Sequence, residues 1–585
     1  MFLATTANHH YWDKNQKILF LGEWCRIYNQ KSIWSKVAHE VLPSPWNDTE
    51  QFDKHYSYLQ TVQEKYLEIL TLNLNKIHGE KHSNRYWRII LGPWLIHFVG
   101  ATYDRYLSIR KAAETNLITN TWLPPFRQGK WIPQNFESYL GWSADDNFNL
   151  HLIGRIIVQL NNIPYEFKEL PPLPSLNSKE VFNKQVRAKN IIKSFLRAIS
   201  RLTPAHNNRI VVCSLKLKLW DLVKLQACLG QFPYFRAPLV EPNKFSVNEP
   251  MRKSLKVSQG ENEFENLLED LMVELMPKAY LEGFNDLRNR AIKAFPKKPK
   301  IILSGACYLD DALKIWVADQ TSKNTKLILS QVGGGFNTWK FNQFETHQHE
   351  TCDKYFTSSH SENKNKKTIC MSQSFLIKAS RNLKPNPKGV IIAITHSARR
   401  YNTNVDHALN NVLPARNILE QNRFLKKVSP EVFQILYYRL YPFEMGWDER
   451  KRLADTFPNL KTYQGPQLLE KQLRKSRLAI IFTNSTVFLQ TISINFPTIL
   501  CFNPIRSPLV VSAEPYFNEL RRVKILHESP ESAATWINSI YKNPSSWWAS
   551  AETQKVRKQF CNEFVRTSPS LHKEWAKEIL KATNN

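Results

Sequence analysis

Three consecutive glycines, Gly333, Gly334 and Gly335, stand two residues after Lys326–Ser330, an apolar run that reads as a strand. Glycine lets a backbone turn sharply and approach a ligand or another backbone closely. In a chain with only 17 glycines, such a cluster points to a close approach, although a plain tight turn would use the same residues. The order is neither the GxGxxG of dinucleotide sites nor a P-loop, since no Gly-Lys-Ser/Thr follows. A nicotinamide cofactor is therefore not expected.

Four other clusters carry chemically capable side chains. His347-Gln348-His349-Glu350, with Asp353, offers groups for acid/base work or for a metal. The zinc-protease pattern of two His four apart around a Glu is absent, and no metal is expected. Thr395-His396-Ser397, with Arg399 and Arg400, places hydroxyls and guanidinium groups after a second predicted strand, where they could hold a phosphate. Thr483-Asn484-Ser485-Thr486 lies between a strand and a helix, a position that caps the helix in any α/β protein and also forms an anion site. Arg439, in Tyr437-Tyr438-Arg439-Leu440-Tyr441-Pro442, ends another predicted strand.

The elements that must position these groups can be read from the apolar pattern. From about residue 299, strands of four to six apolar residues alternate with helices of about ten, which indicates βαβ units and a parallel sheet. Strands are expected at Lys300–Leu303, Lys326–Ser330, Val390–Thr395, Ile435–Arg439, Leu478–Thr483 and Thr498–Phe502. Before that, Ile18–Leu21 and Ile210–Ser214 read as strands, Glu64–Ile77 and Val186–Arg201 as helices, and Ile89–Gly100 as a buried segment. The expected fold is α/β and divides at residues 1–385, 386–528 and 529–585. These are two Rossmann-like units facing a cleft and a helical tail. In such sheets ligands bind at the carboxyl ends of the strands.

Composition limits the function. The chain has 585 residues, 42% of them hydrophobic, which excludes wholesale disorder. Its 80 Lys and Arg exceed its 51 Asp and Glu by 29 charges, so nucleic acid, an anionic membrane or an anionic substrate are the partners to weigh. No zinc-finger, RNA-recognition or OB signature accompanies the basic runs, so nucleic acid is not expected. The eight cysteines form no CxxC pair, no run reaches the ~18 apolar residues of a membrane-spanning helix, and no signal-peptide pattern opens the chain. A cytoplasmic protein, peripheral at an inner-membrane face, is the expectation.

Taken in order, Phe2–Thr6, Leu19–Cys25, Tyr86–Trp94, Tyr103–Tyr106, Gly333–Gly335, His349-Glu350 with Asp353, Arg439–Pro442, Gly446-Trp447 and Thr483–Thr486 span nearly the whole chain. Together they resemble a family of transferases encoded in bacterial O-antigen and other surface-polysaccharide biosynthesis regions. The resemblance implies a GT-B-like fold with a donor-binding second half. In that family the glycine loop begins with His after Gln and carries a later glycine. Here Val332 and Asn337 stand at those positions.

With that fold, the expected function is a metal-independent glycosyltransferase that uses a nucleotide sugar as substrate, with no cofactor, and a glycan or lipid-linked acceptor. Glu350 or His349 is the expected base. His396, Arg399, Arg439, Asn484, Ser485 and Thr486 are the expected donor-phosphate ligands, with Gly333–Gly335 as the close-approach loop. The alternatives are a polyol-phosphate transferase of the same fold and, given Val332, a glycan- or anion-binding scaffold. The basic runs Lys293–Lys300 and Lys471–Arg477 are the expected membrane contacts.

Overall fold

A computed structural model describes residues 1–174, 209–215, 217–231, 240, 243–255, 259–305, 309–360, 367–377, 383–406, 414–463, 467–505 and 507–584. The helix expected at 186–201 lies outside them.

Two parallel sheets dominate. The middle sheet has five strands, Ile210–Cys213, Ile301–Ser304, Lys326–Ser330, Lys354–Thr357 and Thr368–Cys370, which lie side by side in chain order. The C-terminal sheet has six, and its order is different. Val390–Ile394 lies at its centre, with Leu436–Arg439 and Lys461–Thr462 stepping away on one side and Ser476–Ile481, Thr498–Cys501 and Leu526–His527 on the other. Every strand pair in both sheets is parallel. This is the expected GT-B-like layout of two Rossmann-like domains.

Alternation along each strand builds a core on both faces of each sheet. Val211, Ile302, Leu327 and Leu329 point into the large core shared with the helix Asn84–Glu114. Ile210, Val212, Ile301, Leu303 and Ile328 point the other way, against the helices Leu219–Cys228 and Leu571–Asn584. The helix Asn84–Glu114 absorbs the apolar run Ile89–Gly100. It is buried along nearly its whole length and packs on the helices Thr49–His78, Asp146–Leu160, Asp311–Thr321 and Gln343–Thr351.

The organisation departs from a simple three-part chain. The first 174 residues carry a further parallel sheet, Phe2–Ala4, Ile18–Phe20 and His39–Val41. Before residue 385, Phe375, Leu376 and Leu383 already pack in the core of the C-terminal sheet. The last helices form no separate tail. Ala551–Phe564 packs on the C-terminal sheet, and Leu571–Asn584 returns to the middle sheet.

The loop after Val390–Ile394 is fastened to the N-terminal region by buried polar groups. Arg400 pairs with Asp146 and donates to the Trp24 carbonyl, and the Tyr401 hydroxyl donates to Asp146 at 2.6 Å. Asn402 Nδ2 donates to Asp104 at 2.6 Å, and Asp406 caps the helix Gln343–Thr351 through the Gln343 amide at 2.9 Å. Among the described residues, no helix is long and apolar enough to cross a membrane.

Candidate functional site

The C-terminal sheet reverses direction between Val390–Ile394 and Ser476–Ile481, which are neighbours in register from Ile391–Leu478 to Ile394–Ile481. Successive crossovers leave on opposite sides there, the place where open α/β sheets form their ligand crevice, beyond the carboxyl ends of the strands. Its walls are the loops Thr395–Ser397 and Phe482–Thr486. The helix Thr486–Ser493 begins in this crevice with Ser485 at its N-cap, and the Ser485 side chain makes no capping hydrogen bond. The first amides of a helix have no intrahelical partner and carry the positive end of its dipole, so an anion is favoured here. Asn484 is buried, and its Nδ2 donates to Thr338 Oγ1 at 3.1 Å.

Thr338 belongs to the other domain, on the segment that follows the glycine loop. The loop crosses to the helix start: the Gly334 amide donates to Thr486 Oγ1 at 2.8 Å. A Cβ on Gly334 would collide with the backbone of Ser485 and Thr486, and one on Gly333 would lie 2.9 Å from Thr486 Oγ1. Gly335 has φ +93°, and its Cβ would lie 2.6 Å from Trp339. Beyond the loop, the Lys340 amide donates to the Pro508 carbonyl at 2.9 Å and the Val510 amide to the Thr338 carbonyl at 3.0 Å. Gln331 braces the loop from beneath. Its Nε2 donates to the Gly333 carbonyl at 2.8 Å while its Oε1 accepts from Thr357 and Ser358. Asn337 sits at φ +60°, a left-handed conformation that Asn tolerates better than most residues, so it can replace a glycine there. Val332 packs over Gly305, at the end of the neighbouring strand.

The remaining groups of the second domain divide. His396 is exposed at the wall of the crevice, 5.8 Å from the Tyr441 ring in an edge-on contact. Arg399 donates to the Leu140 carbonyl at 2.5 Å, and burial lowers its pKa. Arg439 is held by the Gln467 carbonyl at 2.9 Å and by the Gln472 side chain.

A family model described as LIC12162 family transferase matches residues 1–579. The chain belongs to that family. No curated protein matches it. Among solved structures, the wall teichoic acid polymerase TagF is 11% identical over 70% of this chain and 98% of its own, with a TM-score of 0.31. The spinosyn rhamnosyltransferase SpnG with its aglycone is 12% identical over 64% and 100%, with a TM-score of 0.30. The UDP-GlcNAc 2-epimerase of Neisseria meningitidis is 10% identical over 51% and 78%, with a TM-score of 0.31.

In this transferase the expected base pair does not reach the crevice. His349 and Glu350 occupy the last turn of the helix Gln343–Thr351, which leaves the carboxyl end of one strand and returns to the amino end of the next. Asp353, just beyond, exchanges hydrogen bonds with Leu327 at the start of the strand Lys326–Ser330. His349 lies near the Tyr355 ring, with its pKa lowered to about 4 by burial and then by Lys367, and Glu350 is exposed. His347 is buried against Gly92, and burial lowers its pKa to about 3.

A carboxylate not singled out from the sequence is better placed. Asp310 is exposed at the carboxyl-end side of the strand Ile301–Ser304, next to the strand that carries the glycine loop. It caps the helix Asp311–Thr321 through the Leu313 amide at 3.1 Å, and desolvation raises its pKa. The Asp310-Asp311 pair ahead of an apolar helix was legible as a cap, but nothing local distinguished it from other caps. In the C-terminal domain Glu449 faces Ser397, next to His396, and burial raises its carboxyl pKa to about 7. Among the described residues no cluster of three His, Cys, Asp or Glu side chains could hold a metal.

Proposed function

We propose that this transferase moves a sugar from a nucleotide-sugar donor to the hydroxyl of a surface-polysaccharide acceptor, glycan or lipid-linked. Membership of a transferase family supplies the reaction class. The observation that carries the finer reading is the contact of Gly334 with Thr486, which brings the glycine loop to an uncapped helix start in the strand-reversal crevice.

On this reading the donor's diphosphate lies at the start of Thr486–Ser493, beside Asn484 and Ser485, with His396 on the opposite wall. The contact with Gly334 engages the Thr486 hydroxyl and leaves the following amides of the first turn for phosphate oxygens. Such fixed dipoles stabilise the charge that develops on the leaving phosphate, the role a metal plays elsewhere. The acceptor enters from the middle sheet. Its hydroxyl oxygen attacks the anomeric carbon, the bond from that carbon to the phosphate oxygen breaks, and the proton passes to the carboxylate of Asp310. Desolvation raises the Asp310 carboxyl above its ordinary value, the direction that makes a carboxylate a stronger base. Arg399 and Arg439 contribute positive potential near the crevice.

Incubation with a panel of nucleotide sugars and CDP-polyols, followed by assay of released nucleotide, tests the proposal. Turnover with a nucleotide sugar, unchanged by EDTA, is expected. Turnover with a CDP-polyol alone would assign polyol-phosphate transfer instead, and binding without turnover of any donor would assign the scaffold.

A further inference from the structure

Two helices cover the outer face of the middle sheet, Leu219–Cys228 and Leu571–Asn584. Leu225 and Leu229 from the first region, with Trp575 and Ile579 from the second, pack on Ile210, Val212, Ile301 and Leu303. Because both helices lie on one face of one sheet, their exposed sides point the same way. On the first helix that side begins with Trp220, 74% exposed, beside Leu219, 44% exposed. On the second it includes Leu580, 39% exposed. Apolar area of this kind is favourably removed from water, and here it is left exposed.

The surrounding charge is one-sided. Lys573, Lys577 and Lys581 recur every four residues and form one exposed stripe along the last helix. Lys224 stands one turn from Trp220 on the first, and Lys218 precedes it, both exposed. The acidic residues of these helices, Asp221, Glu574 and Glu578, are only half-exposed. Glu578 is bound to Lys581 at 2.7 Å, and Glu574 accepts from Ser372. The helix Leu219–Cys228 starts at the carboxyl end of its preceding strand, so Trp220 stands at the cleft end of the sheet. The runs Lys293–Lys300 and Lys471–Arg477 lie instead at the amino ends of their strands, away from the cleft.

We propose that this two-helix face docks on an anionic lipid bilayer, with Trp220 and Leu219 entering the headgroup boundary and the lysine stripe lying over the lipid phosphates. Tryptophan favours that boundary because its ring is apolar and its indole N–H is polar. Lysines near an anionic leaflet are drawn to its surface potential. An exposed tryptophan framed by lysines matches this occupant better than a protein surface, whose contact centres are depleted in lysine. The inference does not depend on which group the enzyme transfers.

The test is flotation of the full chain with phosphatidylcholine vesicles, with and without phosphatidylglycerol. Binding to the anionic vesicles that weakens with added salt is expected. Replacing the stripe with Lys573→Gln, Lys577→Gln and Lys581→Gln should weaken it about fivefold per lysine. Leu219→Ser with Trp220→Ser should weaken it at least about tenfold. All these side chains are exposed, so an unchanged thermal melt is expected. Independently of any variant, hydrogen exchange of the unaltered protein should slow at 218–224 and 573–581 when anionic vesicles are added. Absence of binding at low salt, binding unaffected by both sets of substitutions, or a self-association through Trp220 without vesicle binding overturns the proposal.

Discussion

The Gly334 amide and the Thr486 hydroxyl meet at 2.8 Å across the boundary between the two large domains. One residue ends a loop of the middle sheet and the other starts a helix of the C-terminal sheet. The close approach that three glycines permit is therefore made first to another backbone. Gly334→Ala should force that backbone away, since a Cβ has no room against Ser485 and Thr486. A displacement of about 1 Å at a reacting centre costs about 100-fold in rate, and a fall in turnover of that order is expected with the circular-dichroism spectrum unchanged. Full activity in Gly334→Ala would remove the loop from the site.

Asp310 and Glu350 are rival candidates for the base that the proposed transfer needs, and they can be separated. Asp310→Asn should lower kcat by about 100-fold or more, the usual contribution of a positioned base. Glu350→Gln, at the amino end of the sheet, should leave kcat within about twofold of the parent, as a surface change remote from chemistry does. The reverse pattern in a nucleotide-release assay would restore the helix Gln343–Thr351 to the mechanism.

Asp406 should make stability depend on pH with a definite sign. Burial raises its carboxyl from 3.8 to about 7 while it caps Gln343. A group whose folded pKa is raised contributes fully below its unfolded value and loses that contribution as pH rises through the folded one. The protein should thus lose on the order of a few kcal/mol between about pH 4 and pH 8 on account of this group. Asp406→Asn keeps a capping oxygen and cannot ionise, so its urea midpoint should fall less over the same range. Parallel pH profiles for the two proteins would refute this. His347, lowered to about 3 by burial, acts with the opposite sign and weakens the fold as pH falls below 6.5.

Arg400 and His396 are four residues apart on one loop, and their substitutions should separate stability from function. Arg400→Ala strands Asp146 in the interior and should cost about 3–5 kcal/mol in equilibrium unfolding, as a broken buried pair does. His396→Ala, exposed in the crevice, should leave the melt unchanged and raise the donor's Kd, read by calorimetry. Equal effects of both on stability would mean that His396 is part of the fastening.

Much of this fold could be read from short apolar runs. Val390–Ile394, Ser476–Ile481 and Thr498–Cys501 stand out because buried parallel strands need apolar residues on both faces. Strand order could not be read the same way. The reversal beside Val390–Ile394 exists only through pairing with Ser476–Ile481, and no local pattern encodes that choice. The small sheet was legible at Ile18–Phe20 alone, because its partners Phe2–Ala4 and His39–Val41 are too short for a period to show. His349 and Glu350 stand out by residue type, and type does not say which end of a βαβ unit a helix turn reaches. The Thr483–Thr486 loop was easier to place, since a strand-to-helix junction fixes its end of the sheet.

The return of the last helix to the middle sheet has a consequence for how the chain is made. Leu571, Trp575, Ala576 and Ile579 complete the apolar face that Ile210, Val212, Ile301 and Leu303 begin. During synthesis from the N-terminus, the middle sheet must wait with one side uncovered while the whole C-terminal sheet is translated. The two domains therefore cannot mature one after the other as independent units. Their first halves emerge in sequence, but folding closes only when residues 571–579 arrive, leaving an interval in which exposed apolar surface favours aggregation and a chaperone has something to hold.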